Sequence, residues 1–149
     1  MSVDLNGVKN YVTDENGQIK IAVQKLVPNT YVAKINFKGN SYYVESEDAS
    51  IVVVKKATPT FDAKSKTFKT KAKTKKYTVT FKNNKKQAIN TKVYLKVKGI
   101  TYTAKTNSKG QATFNLNKLI KKGKHTAVIM YKGSKYYNKV NKKVKINLQ

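Results

Sequence analysis

The chain of 149 residues carries 32 lysines, no arginine and seven acidic residues, for a formal net charge of +25 at pH 7. With no cysteine, it can form no disulfide, thiolate metal site or cysteine nucleophile. One histidine, His125, and seven acids leave little for zinc or general acid–base chemistry.

Charge divides the chain. Residues 1–56 hold seven lysines and six acids (Asp4, Asp14, Glu15, Glu45, Glu47 and Asp48), a net +1. Residues 57–149 hold 25 lysines and a single acid, Asp62, a net +24. The change falls at Ala57-Thr58-Pro59-Thr60. Proline cannot donate to a sheet ladder, so this stretch is expected to break a strand and separate two domains. No apolar run approaches the ~18 residues of a membrane span, and no basic-then-apolar signal segment follows Met1. Abundant Lys, Asn, Ile and Tyr beside absent Arg is the profile of an A/T-rich coding sequence, so part of the positive charge need not reflect a polyanionic partner.

From residue 60 onward the chain alternates apolar and polar residues with period 2, the signature of half-buried strands. A first strand is expected near Thr60–Ala63. Tyr77, Val79 and Phe81 then face one way, followed by Val93, Leu95 and Val97, and by Ile100, Tyr102 and Ala104. Ala112, Phe114 and Leu116 come next, then Ala127, Ile129 and Tyr131, then Val140, Val144, Ile146 and Leu148. Gly- and Asn-containing turns separate the runs: Lys82-Asn83-Asn84, Lys98-Gly99, Asn107-Ser108-Lys109-Gly110, Lys122-Gly123 and Lys132-Gly133-Ser134. About seven short strands at this spacing predict an all-β, two-sheet antiparallel sandwich. Asn117–Lys122 is a six-residue helical candidate, more readily read as a connection.

The chain repeats itself. Phe37-Lys38-Gly39-Asn40-Ser41-Tyr42-Tyr43 matches Tyr131-Lys132-Gly133-Ser134-Lys135-Tyr136-Tyr137 at an offset of 94. Gly17-Gln18 matches Gly110-Gln111 at 93, in an Asn-containing turn one residue longer in the second copy, and Gly7 matches Gly99 at 92. Residues 1–56 therefore read as the last four or five strands of a sandwich without its first two or three, and residues 57–149 as a complete copy. Such a fragment is expected to expose sheet edges and half a core. It is either cut from a longer array or completed by another molecule.

The stretch Lys92–Gly110 reads L-x-V-x-G-x-x-Y-x-x-x-T-x-x-x-G from Leu95, and Tyr131–Tyr137 follows one strand later. This resembles the bacterial-type immunoglobulin-like repeat of large adhesin-like surface proteins, and its Lys/Asn/Tyr-rich flavour is similar to the arrays of methanogenic archaea. The likeness covers 57–149 well and 3–56 as a partial repeat. It implies an immunoglobulin-like sandwich serving as a stalk or spacer, secretion and surface attachment, and neighbouring repeats as partners. The absence of a signal or anchor fits a segment of something longer.

Catalytic, cofactor-binding and metal-binding residues are expected to be absent. His125 sits 94 residues beyond Tyr31, where such sandwiches place a corner tyrosine bonded to backbone, and is read as a structural substitute. The lysine run Lys64, Lys66, Lys69, Lys71, Lys73, Lys75 and Lys76 is a candidate contact for an anionic cell-wall or glycan polymer, against the plainer reading of a charged, protected edge. Nucleic acid is disfavoured, since arginine forks are missing and only Phe68 and Tyr77 interleave. Tyr136 and Tyr137 are candidates for glycan stacking, although recurrence as Tyr42-Tyr43 favours a structural role. A Lys–Asn isopeptide bond needs a buried acid, and residues 63–149 have none. The acid clusters Asp14-Glu15-Asn16-Gly17 and Glu45-Ser46-Glu47-Asp48 read as solvated turns more readily than as calcium sites. The leading expectation is a non-enzymatic structural or adhesive module. The alternative is a binding module for an anionic polymer.

Overall fold

β-Branched and tyrosine residues suit pleated, half-buried surfaces, and the chain forms twelve β-strands and no helix. The computed structural model describes all 149 residues, in two units: Met1–Lys55 and Lys56–Gln149.

The second unit contains β5 (Thr60–Asp62), β6 (Lys66–Phe68), β7 (Lys76–Lys82), β8 (Lys92–Val97), β9 (Ile100–Lys105), β10 (Gln111–Asn115), β11 (Gly123–Tyr131) and β12 (Val140–Leu148). A three-stranded sheet in the order β10-β7-β5 faces a five-stranded sheet in the order β6-β12-β11-β8-β9. Period 2 sends alternate side chains inward from both sheets. Tyr77, Val79, Phe81, Val93, Leu95, Val97, Phe114, Leu116, Ile129, Val144 and Ile146, the apolar faces read from the alternation, are all buried in one core. The Phe81 ring lies 4.5 Å from Phe61 in its own sheet and 4.8 Å from Tyr131 in the opposite one. Such aromatic contacts across the interior fix the separation of the layers. The Lys142 ammonium also spans the layers, donating to the Phe61 carbonyl at 3.1 Å.

This unit has eight strands rather than about seven, and not all pair antiparallel. β6 pairs parallel with β12, Ile146 opposite Lys66 and Leu148 opposite Phe68. The lysine-rich run concealed this strand, because its one apolar anchor, Phe68, gives no alternation to read. Asn117–Lys122 forms no helix. It is a connection in which the Leu119 N–H bonds the Leu116 carbonyl at 2.9 Å, with Leu119 buried beneath it.

The first unit contains β1 (Ser2–Asp4), β2 (Val8–Asn10), β3 (Asn29–Phe37) and β4 (Ser46–Val54) in one sheet ordered β2-β1-β3-β4. This is the order β9-β8-β11-β12 of the second unit. The registers agree as well. Asn29 opposite Val54 becomes Gly123 opposite Leu148 when both are shifted by 94. Asp4 opposite Lys34 becomes Lys96 opposite Val128 when shifted by 92 and 94.

The turns repeat bond for bond. The Asp14 carboxylate accepts the N–H groups of Asn16 and Gln18, both at 2.9 Å. The Asn107 side chain does the same for Lys109 and Gln111, at the same distances. Asp14, rather than Asn16, is thus the partner of Asn107, and the extra residue inferred from the sequence disappears. Asn83 builds this turn a third time, accepting from Lys85 and Gln87. A short polar side chain that mimics a backbone acceptor is what makes each turn. The fourth residue takes positive φ: 72° at Gly17, 59° at Lys86 and 76° at Gly110.

One strand does not recur. Gln18–Ala22, the counterpart of β10, keeps the apolar alternation Ile19, Ile21 but pairs with nothing. In the second unit β10 is laddered to β7 alone. The first unit has no counterpart of β7. A strand without a partner cannot satisfy its backbone in a ladder, and this one stays irregular.

Candidate functional site

The lysine run spans a sheet edge and a loop rather than one surface. The Lys66 ammonium donates to the Lys76 carbonyl at 3.0 Å and sits 5.1 Å over the Phe68 ring. Lys75 is only 3% exposed, its ammonium bonded to the Ala72 carbonyl at 3.1 Å and its N–H to the Asn117 side chain at 2.8 Å. Lys75 is therefore not available to a polymer. Lys64, Lys69, Lys71, Lys73 and Lys76 are exposed. The Lys64 carbonyl accepts the Tyr77 hydroxyl at 2.7 Å. Burial, reinforced by the Asp62 carboxylate, pushes that hydroxyl up to about 12, because both disfavour a phenolate.

Tyr136 and Tyr137 point different ways, as adjacent residues on an extended segment must. Tyr137 packs against the core, and Tyr136 is exposed with the Lys135 ammonium 5.1 Å from its ring. Their backbone receives the incoming chain. The Ala57 N–H donates to the Tyr136 carbonyl at 3.0 Å, and the Asn138 N–H to the Ala57 carbonyl at 2.9 Å. In the first unit Tyr42 and Tyr43 have no such docked segment, and both are exposed.

His125 is 5% exposed, with Nε2 donating to the Lys121 carbonyl at 2.6 Å. The Tyr31 hydroxyl donates to the Val27 carbonyl at 2.7 Å. Both bonds reach back four residues. Imidazole and phenol do the same work at equivalent corners.

A second gathering of lysines lies elsewhere and was not visible in the linear sequence. Register aligns Lys96 on β8 with Val128 on β11 and Val128 with Lys143 on β12. The outward positions of the five-stranded sheet carry Lys92, Lys96, Lys105, Lys124, Lys143 and Lys145 with no carboxylate among them. At its centre Tyr94, Val128 and Met130 are half-buried, and the Lys132 ammonium lies 4.5 Å over the Tyr94 ring. The outward face of the three-stranded sheet differs. It carries Thr78 and Thr113, hydroxyls 2.8 Å apart, with Asp62 nearby on β5. Nowhere do three His, Cys, Asp or Glu side chains come together as metal ligands would. No helix is long and apolar enough to cross a membrane.

The sequence matches no family model and no curated protein. Among solved structures, the chain is similar to an endo-β-1,4-mannanase from Thermotoga petrophila, at 16% identity and a TM-score of 0.44, over 64% of this chain and 20% of that one. It is similar to a Ca²⁺-stabilized ice-binding adhesin of an Antarctic bacterium, at 14% identity and 0.37, over 99% of this chain and 40% of the other. It is also similar to a 1.5-MDa bacterial ice-binding adhesin, at 14% identity and 0.38, over 99% and 52%. The chain thus spans between a fifth and about half of these structures. Likeness at this level gives no residue-by-residue correspondence.

Proposed function

We propose that the chain is a non-enzymatic structural repeat module of a cell-surface, adhesin-like protein, acting as stalk or spacer. The observation that carries this reading is what recurs between the two units. Sheet order, ladder register, the Asx turns and the corner hydrogen bond are repeated. Each is a device for building a sheet. The outward face of the sheet is not repeated with them: the positions that hold Lys96, Val128, Met130 and Lys143 in one unit hold Asp4, Lys34, Asn36 and Ala49 in the other. An immunoglobulin-like assignment of the complete unit is supported by its three-on-five strand order, by the short strand that switches sheets at β6, and by the corner at His125.

The second reading is a module for anionic cell-wall or glycan polymers. It is favoured by the acid-free outward face of the five-stranded sheet, which attracts polyanions at long range. A salt titration against heparin-like, cell-wall and DNA polymers separates the two. The spacer reading expects weak binding to all of them, lost steeply as salt rises, because lysines only release condensed counterions. Tight binding to one polymer that persists at high salt overturns it.

A further inference from the structure

We infer that the first unit is a receptor for a β-segment with the strand pattern of Lys56–Lys92, bound by strand addition on three surfaces that the fold leaves open. In the second unit this segment supplies β5, β6 and β7. β6 pairs parallel along β12 at Ile146–Leu148, β7 pairs antiparallel with β10, and the layer β5-β7 covers the inner face of the large sheet. Every receiving surface has its counterpart in the first unit, and each is unfilled.

The first surface is the free edge of β4 at Val52–Val54, which are 146–148 when shifted by 94. The second is Gln18–Ala22, which keeps the Asx turn and the alternation of β10 but no ladder. The third is the inner face of the sheet. Ile129, Tyr131, Ile146 and Leu148 are 0–4% exposed in the complete unit. Their counterparts Ile35, Phe37, Val52 and Val54 are all only half-buried. Val3 and Ala33, at the centre of the same face, are already buried. The face is therefore apolar, in register, and short of one layer. Main-chain pairing at two edges gives affinity in such additions, and pockets for alternate side chains give specificity. The occupant is fixed by the repeat: Phe61, Phe68, Tyr77, Val79 and Phe81 fill the equivalent space in the second unit.

The test places a second copy of Lys56–Lys92 directly ahead of Met1 in the full chain, the join that the offset of 92 dictates, and follows amide hydrogen exchange. Amides of Gln18–Ala22 and Val52–Val54 are expected to slow by at least roughly a hundredfold relative to the unextended chain, as they enter a cooperative unit. A control carries Val79→Asp in the added copy alone and is expected to lose this protection. Unchanged exchange in the extended chain overturns the proposal, and so does equal slowing in the control. An unextended chain that sediments as a dimer with Val52–Val54 already protected also overturns it, because a second copy is then the occupant. None of these outcomes touches the spacer reading, which the polymer titration decides.

Discussion

Phe114 is fully buried on β10, opposite Tyr77. Phe114→Ala removes most of a ring from a packed interior, and chemical denaturation is expected to show a loss of about 3–5 kcal/mol. The corner at His125 is a subtler case. His125→Ala removes a buried ring and its bond to the Lys121 carbonyl, at a cost of about 1–3 kcal/mol, whereas His125→Tyr is expected to keep the fold by copying Tyr31. Equal stability of the alanine and tyrosine variants would show that the corner bond does nothing. Tyr77 gives the chain an alkaline limit. Its hydroxyl titrates near 12 when folded, against 10.0 when free, and burial raises the Tyr102 hydroxyl as well. The folded state then holds protons that the unfolded chain has released. Stability is intact below about pH 10 and falls as pH rises toward 12. Thermal melts from pH 9 to 12 are expected to show this decline, and Tyr77→Phe is expected to flatten it. A flat profile for the unaltered chain would mean that Tyr77 titrates freely.

At the scale of elements, the Asx turn and its glycine can be separated from ordinary hairpin glycines. Gly99 and Gly110 share a positive φ, 74° and 76°. A Cβ on Gly99 would meet open space, while one on Gly110 would lie 2.5 Å from the Phe81 carbonyl oxygen. Gly99→Ala thus incurs only the left-handed backbone strain, about 1–2 kcal/mol. Gly110→Ala is expected to cost more, since the backbone that receives the Phe81 N–H must also move. Equal losses in denaturation would contradict this. Strands with clean alternation, such as Val93-Leu95-Val97, were legible in the sequence. β6 was not, because Lys66-Thr67-Phe68 becomes a strand only through the edge of β12. Gln18–Ala22 shows the converse: a strand pattern forms no strand where no neighbour exists. Pairing belongs to the assembled fold, and alternation reports only the willingness to pair. The lysine-rich face was hidden for a related reason, since Lys96 and Lys143 become neighbours only through the ladders on either side of Val128.

For the whole molecule, the second unit is a two-layered sandwich, while the first is a single sheet with the strand order of four strands in the second unit's larger sheet. The second unit has a continuous core drawn from both sheets. The first unit buries Val3 and Ala33 but leaves Val32, Ile51 and Val53 more than half exposed on the other side of its sheet. A single layer with both faces partly wet buries too little apolar surface to offset the entropy of ordering it. Residues 56–149 alone are therefore expected to melt cooperatively, and residues 1–55 alone to show no sharp transition. Hydrogen exchange on the monomeric full chain tests this most directly, because it reads both units in one sample. Amides of β7, β8, β11 and β12 are expected to open only with global unfolding of their unit, while those of β3 and β4 exchange at least roughly a hundredfold faster. Equally slow exchange in β3, β4 and the core of the second unit, with no partner present, would contradict it.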